Sequence, residues 1–453
     1  MRTVRILSPA SSGRRLGAVL VRQSSATSID AGTNPLWLDK LYCKAGFTPP
    51  ELQGAVRVVK LPGKGRGIIA NADLEPGQLL LVSKPIAYIT CPMGSIPSPE
   101  DLVTVMKKSS FGTEEIRILN SLFSGMDDED NKSDICTGLG LDEFKLTGLI
   151  GCNSFGEEFT DFPTYMARSD SHANGIDGNR STVSSCAEHD TATSNNPAGG
   201  EEQVGHLGLF PSFSMLNHSC LPNAVNFVVG GRMLVVAARS IRKDSEVLIN
   251  YLGRASLRPV EERQAQLADG YYFSCDCPRC RAELLYCCTD VADPNGKTNP
   301  LGSFSECLQD ILARGDERNS VLDELGRAAA AAATTSDNGG DATAILDGLL
   351  DSVRQDVRKW DDVVKRMQLP AVVAVSDEGV APEMQRQWLR ASAFDLYSQH
   401  AALAEAAGRR QEALAAVERQ VAICEAAAPS SDLHMYLSVK LALLVQQQEQ
   451  AEG

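Results

Sequence analysis

Residues 208–223 read Gly-Leu-Phe-Pro-Ser-Phe-Ser-Met-Leu-Asn217-His218-Ser-Cys220-Leu-Pro222-Asn223. This stretch places an amide, an imidazole and a thiol within four residues, between an apolar run and a proline. Taken alone, it is typical of a polar turn after a buried segment. Two later pieces change that interpretation. One is Val247-Leu-Ile-Asn-Tyr251, which indicates a strand ending in a tyrosine, and the other is the thiol-rich run Cys275-Asp-Cys-Pro-Arg-Cys280.

Length and composition indicate a globular chain of two or three domains. The chain has 453 residues, of which 43% are hydrophobic, and 43 basic against 58 acidic residues give a net charge of −15. An acidic chain is poorly suited to phosphate contacts, so we expect no direct nucleic-acid binding and favour basic protein partners. No apolar run approaches the length of a transmembrane helix, so no membrane association is expected.

The 13 cysteines are odd in number and mostly scattered. This pattern argues against a secreted disulfide framework and for a reducing intracellular compartment with one clustered metal site. Structural zinc takes four nitrogen or sulfur ligands in a tetrahedron. Cys275, Cys277 and Cys280 offer three of them. The residues alone leave open two other interpretations, redox-active thiols or an unconnected cluster.

The N-terminal segment, residues 1–54, is set apart from the fold. Its first 29 residues contain no acidic side chain but five arginines and six serines. That composition is typical of a mitochondrial or other organelle transit peptide, and a disordered cytosolic extension is the alternative. The location is therefore predicted as cytoplasm, nucleus or organelle.

The folded sequence is expected to begin near Ala55, with strands on either side of the glycine-rich loop 62–67. The interval 86–152 indicates helices, because Ser98-Pro-Glu-Asp101 resembles an N-cap and residues 114–123 have apolar side chains at helical spacing. Residues 160–203 are polar and lack periodicity, which predicts a disordered loop.

The second half changes from strands to helices. Two β-rich runs joined by Gly230-Gly231 predict a hairpin over residues 225–238, and residues 259–268 indicate a short helix. Beyond Leu285 the chain is rich in alanine and helical in pattern. Three helical stretches are predicted, of which the first two resemble a tetratricopeptide helix–turn–helix pair: 382–408, 411–428 and 432–446. A plain helical bundle is the alternative.

The combination NHSCxPN, then a strand ending in Tyr251, then CxCxxC resembles the SET-domain lysine methyltransferases, and most closely their SET/MYND (SMYD-type) branch. The likeness covers about residues 55–284, less the middle. The interval 86–152 contains no CxxC pair, so the MYND zinc module and its partner-binding role are expected to be missing. The resemblance implies an α+β fold. It comprises a β-rich SET domain (55–284) with the helical insert (86–152), the disordered loop (160–203) and a post-SET zinc segment (271–284), followed by an α-helical, tetratricopeptide-like C-terminal domain (285–453).

The resemblance also implies the site residues. Tyr251 matches the catalytic tyrosine of the methyl-transfer pore, and Phe210 and Tyr271 match residues of the lysine channel. The implied cofactors are S-adenosylmethionine (SAM) and structural zinc. Cys220 would join Cys275, Cys277 and Cys280 as the fourth zinc ligand, with Cys287-Cys288 as competing candidates. The residues matched to the SAM site are Lys64, Gly65, Arg66, Asn153, Asn217, His218, Tyr251 and Phe273.

The function implied is SAM-dependent transfer of methyl groups to lysine side chains of proteins, a histone tail or another protein, by a monomeric enzyme. A catalytically weak SET-like scaffold that binds partners through its helical domain is the alternative. Loss of Tyr251 or of Asn217-His218 would favour the scaffold, and both are present. Another amine substrate also stays open. Asp244-Ser-Glu246 stands where the family more often has Gly-Glu-Glu, and this departure removes no predicted catalytic group.

Overall fold

The computed structural model describes residues 48–92, 95–125, 143–157, 204–287, 304–332, 339–367, 369 and 380–452. The predicted transit peptide and the predicted disordered loop lie outside these residues. Within them, no helix combines the length and the apolar character needed to cross a membrane.

The first half of the described chain is built from short strands. They form three antiparallel sheets, in the orders β1-β4-β10-β9, β2-β3 and β5-β7-β6, and one parallel pair, β8 with β11. The strands are β1 Leu52–Gln53, β2 Val56–Leu61, β3 Gly65–Ala70, β4 Leu79–Ser83, β5 Ala87–Pro92, β6 Ser154–Glu157, β7 Val204–Leu209, β8 Asn217–His218, β9 Ala224–Val229, β10 Arg232–Ala237 and β11 Leu248–Ile249.

Helices surround these sheets and make up the described C-terminal region. The α+β class, with a β-rich region followed by helices, is confirmed. The helices are α1 Pro99–Lys108, α2 Thr113–Ser121, α3 Glu143–Asn153, α4 Val260–Tyr271, α5 Pro278–Cys287, α6 Phe304–Ala332, α7 Gly339–Arg366, α8 Pro382–Ala391, α9 Phe394–Ala406, α10 Arg410–Ala427 and α11 Asp432–Glu452, with 3₁₀ turns at Phe213–Met215 and Gly253–Leu257.

Local sequence signals explain several boundaries. Helix α1 starts with a capping box, in which the Ser98 hydroxyl accepts from the Asp101 N–H and the Asp101 carboxylate accepts from the Ser98 N–H. Gly230 and Gly231 have φ values of 55° and 68°, the left-handed conformation that a two-residue hairpin between β9 and β10 requires. Both predictions are confirmed.

Two predictions about elements need correction. The interval 86–152 is not helical throughout, because β5 pairs along its length with β7. The helix expected over residues 382–408 is two helices, since Ala393 has non-helical angles (φ −117°, ψ 36°). The backbone N–H groups of Ser392 and Ala393 donate to the carbonyl oxygens of Leu389 and Arg390, at 3.2 and 3.1 Å. These bonds reach three residues back, as in a 3₁₀ turn, and end the first helix.

The helical C-terminal region is anchored on the β-rich part of the described chain, residues 48–287, which is called the SET-like half. The Arg239 guanidinium donates to the carbonyl oxygens of Glu425 and Ala426, at 3.1 and 2.8 Å, near the end of α10. A cation at this position suits the exposed carbonyls of a helix C-terminus. Met435 and Tyr436 of α11 pack against the apolar face of the β1-β4-β10-β9 sheet. The start of α11 is thereby held against this four-stranded sheet.

Candidate active site and cysteine cluster

The parallel pair of β8 and β11 assembles the centre of the site. Asn217 lies opposite Leu248 and His218 opposite Ile249, so Tyr251 follows two residues after the paired strand. The backbone N–H of Tyr251 donates to Nδ1 of His218 at 3.0 Å. Two segments that are distant in sequence are thus joined at the residues expected to bind cofactor and to catalyse.

Tyr251 is mostly buried and held by its hydroxyl, which donates to the carbonyl oxygen of Leu216. Burial, reinforced by the neighbouring Tyr271 and Glu246, raises the pKa of Tyr251 above its usual range. The rings of Tyr251 and Tyr271 lie 4.9 Å apart, and burial also raises the pKa of Tyr271. Both phenols therefore stay protonated, as oriented polar groups on aromatic walls.

His218 and Phe273 lie on the other side of Tyr251. Their rings are 5.9 Å apart, and the ring of Phe273 meets that of Tyr251 edge-on at 6.5 Å. Burial lowers the pKa of His218 to about 4, and its Nδ1 accepts the Tyr251 N–H. The imidazole is therefore neutral, a hydrogen-bonding group and not a titrating base.

The cofactor residues predicted around the glycine-rich loop lie close to Asn217. Asn217 donates through Nδ2 to the Arg66 carbonyl at 3.0 Å and to Oε1 of Glu246 at 2.7 Å. Oε2 of Glu246 pairs with Lys64 Nζ at 2.7 Å. Gly65 has φ +73° and open space where a side chain would be, so a ligand can approach the backbone there.

Glu246 was not singled out in the sequence, although its position was noted as part of a departure from the family pattern. It bridges Lys64 and Asn217 in the structure. Asp244, two residues earlier, has φ +63°. A glycine is favoured in that conformation, and aspartate is one of the few other residues that tolerate it. Asp244 is therefore compatible with the turn that presents Glu246.

A cavity of about 410 Å³ opens beside Tyr251, between the SET-like half and the start of α11. Asn153 lies in its wall, and its side chain donates to the carbonyls of Phe123 and Leu149, each at 2.7 Å. Phe210 is not in that wall, because it is fully buried in the core with its ring 6.2 Å from that of Tyr88. The wall also includes Glu157, Tyr251, Arg254, Tyr271 and Asp432.

The predicted zinc thiols meet in space. The Sγ atoms of Cys275, Cys277 and Cys280 lie within 4.8 Å of one another, and the Sγ atoms of Cys220 and Cys275 lie within the same distance. Hydrogen bonds from the other three thiols, that of Cys220 first, lower the pKa of Cys277. His218 Nε2 is 3.2 Å from Cys220 Sγ. The side chains of the competing candidates, residues 287 and 288, are outside the described part of the structure.

A buried ionic triad lies behind the thiols. Glu283 accepts from Arg263 and, at 2.7 Å, from Arg279, and these three side chains are at most 2% exposed. Arg279 also reaches the Cys220 carbonyl at 3.2 Å, and Arg263 reaches Cys280 Sγ at 3.6 Å. The triad was missed, because only the helical spacing of Arg279 and Glu283 is visible in sequence, and spacing does not reveal burial.

The residues present fit both implied groups. Four clustered thiols have the donor chemistry of a structural zinc site, and the guanidinium of Arg263 offsets the negative charge that thiolate ligands would bring. For SAM, Phe273 offers an aromatic face, Lys64 offers a cation for a carboxylate, and the backbone at Gly65 is open.

Comparison with known proteins agrees with this geometry. The SET domain family matches residues 65–252. The potential protein lysine methyltransferase SET6 of Saccharomyces cerevisiae is 43% identical over 76 residues, which are 17% of this chain and 20% of that protein. Human histone-lysine N-methyltransferase SMYD3 is 45% identical over 82 residues, or 18% of each chain. N-lysine methyltransferase SMYD2-B of Danio rerio is 28% identical over 185 residues, covering 40% of this chain and 36% of that one.

The matched stretches thus span between about a fifth and a third of these relatives. All three relatives carry names that refer to lysine methylation. The chain therefore carries a SET domain and is similar, through that domain, to the SMYD-type protein-lysine methyltransferases.

Proposed function

We propose that this protein is a SAM-dependent protein-lysine N-methyltransferase. The observation that carries the proposal is the position of Tyr251, whose hydroxyl is held by the Leu216 carbonyl. Its ring lines the 410 Å³ cavity and lies 5.3 Å from the ring of His218 and 6.5 Å from that of Phe273. A substrate chain on one side and a cofactor on the other would meet at this tyrosine.

When bound, SAM would supply an electrophilic methyl group to a lysine amine that has already released its proton to solvent: the nitrogen lone pair forms the new N–C bond while the sulfur keeps the electron pair of the broken C–S bond. The chain's own residues position the amine and exclude water. Tyr251, protonated and fixed, offers its oxygen lone pairs to the amine N–H. The ring of Tyr271, 4.9 Å away, narrows the passage. Neither phenol acts as a base, because burial keeps the pKa of each above its usual value.

The cofactor side of the proposal rests on Lys64, Gly65, Arg66, Asn217 and Phe273. Lys64 is exposed and now pairs with Glu246 at 2.7 Å, so it would exchange one carboxylate for that of the cofactor. The side chain of Asn217 is fixed by two hydrogen bonds, which would hold this residue in place beside the bound cofactor. The aromatic ring of Phe273 suits stacking on adenine.

The zinc side of the proposal assigns Cys220, Cys275, Cys277 and Cys280 as ligands. Binding there would tie the segment after β8 to the start of α5, and the coupling of metal binding to folding would fix one wall of the site. The domain division at about residue 284 and an intracellular location, where thiols stay reduced, belong to the same proposal.

The substrate class follows from charge. A chain with net charge −15 favours basic protein segments, of which a histone tail is one. The rival scaffold function is not favoured by any described residue, since Tyr251, Asn217 and His218 are all present and placed together.

The test is transfer of isotopically labelled methyl from SAM into a mixture of lysine-rich proteins, followed by mass spectrometry of the labelled peptides. We expect label on lysine Nζ, and none in the same mixture after chemical acetylation of its lysines. Label on another residue type would contradict the proposal. Binding of SAM and zinc without any transfer would favour the scaffold.

A further inference from the structure

The cavity beside Tyr251 has an acidic wall. Glu157 ends strand β6 and Asp432 begins helix α11, and both line the same cavity as Tyr251 and Tyr271. The two carboxyl groups are close enough that Asp432 disfavours the charge on Glu157. They come from the two halves of the protein, so only the folded arrangement brings them together.

Glu157 is half-buried at the cavity wall, and burial together with the nearby Asp432 carboxyl group disfavours its charged form. Its charge acts on the Tyr88 phenol, and His206, which lies opposite it in the β6-β7 register, stacks on Tyr88 at 5.4 Å. A buried carboxylate without a cation is costly. Two carboxyl groups on the wall of one cavity favour a ligand that brings a positive charge between them.

Asp432 has one weak partner. Its carboxylate lies 3.6 Å from Arg254, whose side chain is 64% exposed. The charged groups that face the cavity are therefore two carboxyls, Glu157 and Asp432, and one solvent-screened guanidinium. When both carboxyls are ionised, the wall therefore carries one negative charge in excess.

The cavity is also larger than one lysine side chain, and its 410 Å³ is in the range of ordinary ligand sites. The target lysine would enter at Tyr251 and Tyr271. Space remains beside Glu157 and Asp432 for a second side chain from the same substrate segment.

We propose that Glu157 and Asp432 form a cation subsite that binds a second lysine or arginine side chain of the protein substrate, next to the lysine held at Tyr251. The inference rests on the proposed function and adds a sequence preference to it. The substrates selected are basic segments with at least two cationic residues in proximity, and a lone lysine in a neutral segment binds poorly.

The subsite has a pH signature. Burial, together with Asp432, raises the pKa of Glu157 to about 8, and a cation beside it would favour the charged form. The other groups facing it are Tyr88 from β5, His206 from β7 and Arg254 from the 3₁₀ turn. Binding of a dibasic segment should therefore release a proton near neutral pH and tighten as pH rises towards 8.

The experiment selects binders from an immobilised peptide library with a central lysine and randomised neighbours, with S-adenosylhomocysteine present. Wild type is compared with Glu157→Gln, with Asp432→Asn and with Glu261→Gln, an exposed glutamate of α4 that serves as control. Selected peptides are then measured by fluorescence anisotropy beside analogues in which citrulline or acetyl-lysine replaces the flanking basic residue.

We expect enrichment of arginine or lysine at one position relative to the central lysine. Neutralising that residue, or changing Glu157 or Asp432, should weaken binding about tenfold, as loss of a partly buried charge-assisted contact does. The control should retain the preference. Selection without a basic preference, or an equal preference in both cavity variants, would overturn the subsite.

Methyl transfer into the same library separates the two proposals. Selective binding without transfer would contradict the methyltransferase function and leave the subsite in place. Transfer to lysines in every sequence context would do the reverse.

Discussion

The substitution Glu157→Gln should stabilise the protein, by an amount that grows with pH. The carboxyl group has a pKa of about 8 in the folded chain against 4.5 for the free group. The folded state therefore holds this proton more tightly than the unfolded state, and wild type loses stability as pH rises from the lower value to the higher one. Glutamine keeps the shape of the neutral acid and carries no such penalty.

The size of the effect follows from those two pKa values. Linkage gives a difference in unfolding free energy of about 1 kcal/mol at pH 5 and up to about 3 kcal/mol at pH 7, because one pKa unit corresponds to ~1.4 kcal/mol. For a chain of this size, a gain of that order raises the melting temperature by several degrees. Residues that serve binding at the expense of stability behave in this way.

The assay is thermal unfolding at pH 5 and pH 7, with Glu261→Gln as the matched control. We expect the melting temperature of Glu157→Gln to exceed that of wild type by a margin that widens at pH 7, and the control to follow wild type at both values. A variant that is less stable than wild type at both pH values would refute the reasoning, since it would show that the carboxylate has a stabilising partner.

Three further predictions concern stability and the two ligand sites. Glu283→Gln should lower the free energy of unfolding in urea by about 3–5 kcal/mol, because it leaves buried guanidinium groups without a counter-charge. As the control, Asp276→Asn in an exposed ion pair should change it by less than about 1 kcal/mol. Cys277→Ser should abolish zinc in elemental analysis of the purified protein, and Cys91→Ser, away from the cluster, should retain it; retained zinc in the first variant would refute the ligand assignment. Gly67→Ala should weaken SAM binding in calorimetry about tenfold or more, since the new Cβ would lie 2.4 Å from Cδ1 of Leu61 and 2.8 Å from Nδ2 of Asn217, which we propose to bind the cofactor, and would displace both side chains. An unchanged affinity would contradict the proposed role of Asn217.

Sequence reasoning worked best where one residue type has one local use. Gly230-Gly231 and the Ser98 capping box predicted their turn and helix start, because positive φ and N-capping select few residues. The meeting of Cys220 with the later thiols was implied by a family resemblance and not by spacing, since nothing in a linear sequence measures the distance between segments so far apart.

What the sequence could not provide depends on tertiary contacts. Strand β5 is a short apolar run, and such runs do not distinguish strand from helix until a partner such as β7 is known. The roles of Glu283 in an ion pair with Arg263 and of Glu157 beside Asp432 depend on elements that are distant in sequence, so they cannot be seen in the sequence. The burial of Phe210 is likewise a tertiary property, and its predicted place in the lysine channel stays a prediction.

The most direct test of the central claim compares wild type, Tyr251→Phe and Tyr272→Phe, an exposed neighbouring tyrosine, for SAM binding and for methyl transfer. If the Tyr251 hydroxyl orients the amine, removing it should lower the transfer rate by about two orders of magnitude while SAM affinity and the Tyr272→Phe rate stay near wild type. Equal transfer rates in Tyr251→Phe and wild type would contradict the account.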